Sequence, residues 1–143
     1  LLTLQLEAKI GTLKLSDNMA EAKSIFDRYY QAAENAVKKN KVHVSGLIEP
    51  LQYLAQYHKL QAQLAYNNAV IMKQNLDKAL EYMNRICVII RDTYGQDTPM
   101  QLPALSEIID IYTGMGKLDS LASSINQYLK VEKLCHIVMS IKY

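Results

Sequence analysis

The chain has no tryptophan, one phenylalanine, two cysteines, three prolines and five glycines in 143 residues. Cys87 and Cys135 are too few for a disulfide framework or a cysteine metal quartet, and suit a reducing compartment. So little glycine and proline, confined mostly to the gaps between periodic stretches, argues against many short strands joined by tight turns. The net charge of +2 is too small to point to nucleic acid or a membrane surface. No uncharged apolar run approaches the roughly 20 residues that cross a bilayer, and no signal peptide is recognisable. A phosphate-cradling glycine loop is absent, as is any Ser/His/Asp nucleophile context. Half of the residues are hydrophobic and 21% are charged, which fits a packed core rather than disorder. The sequence opens on Leu1 and stops within an apolar pattern at Ile141-Lys142-Tyr143, as expected of an excerpt from a longer protein.

The apolar residues recur at intervals of three and four, which predicts helices throughout. Leu2, Leu6, Ile10 and Leu13 predict a first stripe, with Gly11 its weak point. Ser16-Asp17-Asn18 breaks the pattern. Asn18 is placed to cap a second helix, and Glu21 three residues on to reach back to the cap's own N–H. That helix carries Met19, Ala22, Phe26, Tyr29, Ala33 and Ala36, and Lys38-Lys39-Asn40-Lys41 closes it at the negative end of its dipole. After a connector at 42–46, Pro50 suits a first helical turn. Leu51, Leu54, His58, Ala62, Ala65, Ala69 and Met72 follow as one helix or two. Asn75 is expected to cap the stripe Leu76, Ala79, Leu80, Met83, Ile86, Cys87, Ile90 and Tyr94, which Gly95 stops. Thr98-Pro99-Met100-Gln101 fits a helix start, but Pro103 conflicts with it, so the start is kinked or delayed by a turn. Leu105, Ile108, Ile109, Tyr112 and Met115 form the next face, ended by Gly116. A long uninterrupted helix then holds Leu118, Leu121, Ala122, Ile125, Leu129, Cys135, Val138 and Ile141.

Asn75-Leu76-Asp77-Lys78-Ala79-Leu80 is echoed 42 residues later by Lys117-Leu118-Asp119-Ser120-Leu121-Ala122, with a looser copy from Asn18 to Ala22. A fixed period of this size is the mark of a solenoid, in which hairpins stack because none can bury its apolar face alone. Together with Gly95-Gln96-Asp97-Thr98-Pro99, Ile108, Ile109, Tyr112 and Met115-Gly116, these residues resemble a tetratricopeptide repeat protein, most of all the long-repeat kind of kinesin light chains. The likeness is good over 75–130, moderate over 47–74 and poor over 1–46. Thr98 stands where that family has His, and its Trp is missing. The resemblance implies an all-α array of about three antiparallel hairpins, near 1–40, 47–95 and 98–143. It also implies a concave, peptide-binding face that here includes Leu64, Asn68, Ile71, Ser106, Asp110 and Thr113. Chaperone-tail binding is disfavoured, because only Asn68 matches the carboxylate clamp and Glu107 stands where the clamp needs positive charge.

Each reactive group has a plainer role. Cys87 sits on a core stripe with no basic neighbour to activate it. Cys135 and His136 are adjacent, about 100° apart on a helix, and cannot readily share a metal. His58, on an apolar face, is expected to make one core hydrogen bond. Glu107 and Asp110 suit a solvated face better than acid–base work. Lys38, Lys39 and Lys41 with His43, Tyr29 and Tyr30 are too few for nucleic acid. The expectation is a non-catalytic scaffold without cofactor or metal, binding other proteins or peptides within a larger assembly, cytoplasmic and possible in a cytoskeletal or ciliary setting, with neither nucleic acid nor membrane as partner. The alternative is the C-terminal helical arm of a SET- or MYND-type lysine methyltransferase. The two differ in flanking sequence: a cysteine-rich zinc module and a SET domain, or further tandem repeats.

Overall fold

A computed structural model describes residues 1–142, and they are helical almost throughout, with no strand among them. The helices are α1 (Leu2–Lys14), α2 (Met19–Lys38), α3 (Ile48–Leu64), α4 (Ala69–Tyr94), α5 (Leu102–Met115) and α6 (Leu118–Lys142); 3₁₀ turns at Val44–Leu47 and Pro99–Gln101 lead into α3 and α5. The chain forms two compact units, Leu1–Tyr82 and a second from Met83 onward.

In the first unit α1 and α2 run antiparallel, since Lys14 pairs with Glu21 while Glu7 meets Arg28 further from the turn. Asn18 caps α2 by accepting the Glu21 N–H at 3.1 Å. The expected reciprocal bond is not made: the Asn18 N–H is taken by the Lys14 carbonyl at 2.7 Å, so Glu21 meets the Asn18 side-chain amide instead. The stripe expected on α1 is turned around. Leu2, Leu6, Ile10 and Leu13 are all exposed, and Ala8, Gly11 and Leu15 face the core. Small residues win that face because α1 lies close to α2: a Cβ added at Gly11 would stand 3.0 Å from the Phe26 ring. Phe26, fully buried, stacks on Tyr53 of α3 with centroids 5.0 Å apart. Burial, and then the Glu49 carboxylate, push the Tyr29 hydroxyl up to about 12.

The long pattern after Pro50 is two helices, with a turn at 65–68 that no glycine or proline announces. Asn68, not Asn75, caps α4: its side chain accepts the Ile71 N–H at 3.2 Å and its carbonyl accepts from Met72 at 2.9 Å. Asn75 lies inside α4, its amide donating to the Ile71 carbonyl and its oxygen facing His58 Nδ1 at 2.9 Å. Capping positions therefore recur at Asn18 and Asn68. The second helices α2, α4 and α6 begin at Met19, Ala69 and Leu118, intervals of 50 and 49 residues. The 42-residue echo does not mark equivalent helix starts, because Leu76 falls two turns into α4 while Leu118 opens α6.

In the second unit Gly95 and Gly116 take left-handed conformations, with φ of 95° and 68°, ending α4 and α5 as their positions predict. The Thr98–Gln101 start is delayed by a turn, as the proline conflict requires: Pro99 opens the 3₁₀ turn and Pro103 falls in the first turn of α5. Thr98 does not cap it, and its hydroxyl is buried without a hydrogen bond. The inward line of α5 is Ala104, Leu105, Ile108 and Ile111. Ile109 and Tyr112, expected there, are rotated one position away and are only half-buried. On α6 the fully buried residue is Val131, whereas Leu118, Ile125, Leu129, Val138 and Ile141 are exposed. Val131 lies off the expected stripe, two positions after Leu129 and within the six-residue step from Leu129 to Cys135.

Candidate interaction surfaces

The six residues expected to line a groove fall into two groups. Leu64, Asn68 and Ile71 lie at the α3–α4 turn of the first unit: Leu64 ends α3, Asn68 caps α4, and Ile71 is in its first turn. Leu64 and Ile71 are exposed, and so are Tyr66 at 81% and Val70 at 66%. Four large apolar side chains within eight residues thus face solvent around a single turn. Tyr66 and Val70 were missed because neither fits a helical stripe; their signal was apolarity at a helix boundary. Ser106, Asp110 and Thr113 share one exposed face of α5 in the second unit. Thr113 folds its hydroxyl back onto the Ile109 carbonyl at 2.8 Å, so that hydroxyl is already engaged.

His58 makes the polar contact expected of it. Asn75 Nδ2 is spent on the Ile71 carbonyl, so Asn75 Oδ1 is the acceptor and His58 Nδ1 carries the proton between them. The imidazole packs edge-on against Tyr57 at 5.0 Å and tilted against Tyr82 at 5.8 Å. Burial lowers its pKa, opposed by the Asn75 bond and assisted by the charges of Lys23 and Lys78. A neutral ring held in place is the result.

Three members of the basic cluster are engaged within the fold. Tyr29 is core, Lys38 pairs with Glu34 at 3.6 Å, and His43 Nδ1 accepts the Ser45 N–H at 3.1 Å, starting the 3₁₀ turn. Cys87 is half-buried, and burial pushes its thiol pKa up, which opposes thiolate formation. Among the described residues no three His, Cys, Asp or Glu side chains are grouped to hold a metal. Among the same residues no helix is long and apolar enough to cross a membrane.

A cleft of about 500 Å³ opens in the second unit between α4, the segment after it and α6. From α4 come Asn84, Cys87, Val88 and Arg91; Gln96, Asp97 and Gln101 follow the helix, and Gln127 and Lys130 come from α6. Asp97 has φ of 57°, a left-handed conformation that Asp tolerates better than most residues. It is fixed there by Gln127 Nε2, which donates to its carboxylate at 2.7 Å, and by Lys130 at 3.2 Å. The Gln127 bond and then Lys130 hold its pKa below the usual carboxylate value. Gln101 is 7% exposed, the one polar side chain among the described residues to be so buried. Nothing in the sequence pattern marked this cleft, since its residues are scattered over three elements.

The chain has no significant match among protein-family models, curated proteins or solved structures.

Proposed function

We propose that the chain is a non-catalytic interaction scaffold, a helical-repeat segment of tetratricopeptide-like type that holds other proteins or peptides within a larger assembly. The observation that carries this is the apolar turn of Leu64, Tyr66, Val70 and Ile71, all exposed. Scattered apolar side chains on a surface are ordinary, whereas a contiguous group favours contact with a partner. The outward face of α1, with Leu2, Leu6 and Ile10 one turn apart and all more than half exposed, adds to the reading, because a helix of a partner packs against such spacing. The repeat itself is supported by asparagine caps 50 residues apart at Asn18 and Asn68 and by short turns within each helix pair.

The test is affinity capture on the immobilised chain, comparing the native sequence with Tyr66→Asp/Val70→Asp. Both side chains are exposed, so helical circular dichroism and melting temperature should hold while captured proteins are lost. Identical captured sets from both chains, or none from either, would overturn the proposal.

A further inference from the structure

We propose that the cleft between α4, residues 95–101 and α6 binds a short extended peptide bearing an acidic side chain. The proposal rests on the interaction function above and gives it a ligand class. Four lining side chains are carboxamides: Asn84, Gln96, Gln101 and Gln127. A carboxamide offers donors and an acceptor, as a peptide unit does, so it pairs with a backbone without selecting side chains. Gln101 is the telling one. It is 7% exposed and lines the cleft, and its amide is not among the side-chain groups shut off from solvent without a hydrogen bond. The cleft is where a ligand backbone would meet that amide, as donor and as acceptor.

Charge selects the side chain. Asp97 is answered by Lys130 and by the Gln127 amide, so those charges largely cancel. Arg91 is the second cation of the lining. It pairs with the adjacent Asp92 through Nε alone, at 3.4 Å. A contact through Nε uses one of the five guanidinium donors, and the two terminal NH2 groups are the ones that would hold a ligand carboxylate in parallel hydrogen bonds. Val88, 44% exposed, lines the same cleft and gives an apolar side chain a surface to lie on. Size decides against a helical ligand. The cleft is about 500 Å³, whereas three helical turns with side chains fill on the order of 1,000 Å³; a few extended residues fit.

The experiment pans the full chain against a phage-displayed library of random heptapeptides, then measures the enriched peptides by fluorescence anisotropy. The expected enrichment is for sequences with Asp or Glu. Arg91→Gln should weaken them roughly tenfold or more, the effect of one charge-assisted contact, and replacing the peptide's acid by its amide should weaken them equally. Gln101→Leu should weaken acidic and amidated peptides alike. If it disturbs the circular dichroism spectrum, Arg91→Gln, at an exposed position, decides alone. No enrichment over bare support, enrichment of peptides lacking an acid, or affinity indifferent to Arg91→Gln would overturn the cleft. The partner capture that depends on Tyr66 and Val70 would be untouched by that failure, so the two proposals fall separately.

Discussion

Replacing Gly11 by alanine sets two effects of similar size against each other within one helix. Alanine in a helix interior is favoured over glycine by about 1 kcal/mol, because glycine loses more backbone freedom on folding. Against this, the new methyl would meet Phe26 Cε1 at 3.0 Å and Ile25 Cγ2 at 3.5 Å. A carbon pair is at its optimum near 3.5–4.0 Å, so the Phe26 ring must retreat by about half an ångström. It has nowhere easy to go: Phe26 is fully buried and stacked on Tyr53 with planes 15° apart. Overpacking of this kind costs about 1–3 kcal/mol. The clash should win, leaving Gly11→Ala destabilised by about 0–2 kcal/mol in urea unfolding followed by circular dichroism. The cycle with Phe26→Leu separates the two contributions. In that background the ring is gone and the same Gly11→Ala change should stabilise by up to about 1 kcal/mol. Equal stabilisation in both backgrounds would refute the close approach of α1 to α2.

His58 has its folded pKa below the ordinary 6.5, so the unfolded chain binds its proton more readily. Its contribution is full above about pH 6.5 and is lost as pH falls through the folded value; melting temperature should therefore drop on acidification, with a shallower slope in His58→Gln. Tyr29 is raised to about 12: its contribution is full below 10 and lost as pH rises toward 12, and ultraviolet titration should show Tyr29 ionising late, with Tyr53, which burial also raises, unless the chain unfolds first. Ala79 is fully buried, and Ala79→Leu should cost about 1–3 kcal/mol by overpacking; an unchanged midpoint would contradict that burial. Cys87, its thiolate disfavoured by burial, should react with iodoacetamide at pH 8 more slowly in the folded chain than in urea.

Helix ends were legible where chemistry is specific to a terminus. Gly95 and Gly116 stop their helices because glycine takes a left-handed backbone without strain, and Asn18 caps because its side chain reaches a free N–H. The α3–α4 turn was hidden because Ala62, Ala65, Ala69 and Met72 keep helical spacing straight across it. Asn75 was expected to cap, but the fold spends Asn68 on the Ile71 N–H and Asn75 on His58. Faces were harder than ends. Spacing shows that α1 is amphipathic but not which stripe is inward, and the large residues Leu2, Leu6 and Ile10 lost to Ala8 and Gly11 because α2 comes too close for bulk.

The same reasoning explains why the candidate site was the least legible part. A groove inferred from spacing consists of residues on helices, and Ser106, Asp110 and Thr113 do share a face of α5 because three/four spacing guarantees it. The amide-lined cleft follows no such period. Asn84 and Arg91 are two turns apart on α4, and Gln127 enters only because Gly116 turns the chain back through α6. What ties them is Asp97, whose left-handed backbone aims its carboxylate at Gln127 and Lys130. Asp97→Asn would keep an acceptor for Gln127 but drop the charge that answers Lys130. Lys130 would then add an unanswered cation to the cleft beside Arg91, so the cleft should hold acidic peptides more tightly and lose that gain at high salt. Weaker binding by Asp97→Asn, with the fold intact, would mean that the carboxylate itself meets the ligand and that the charge assignment of Arg91 and Lys130 is reversed.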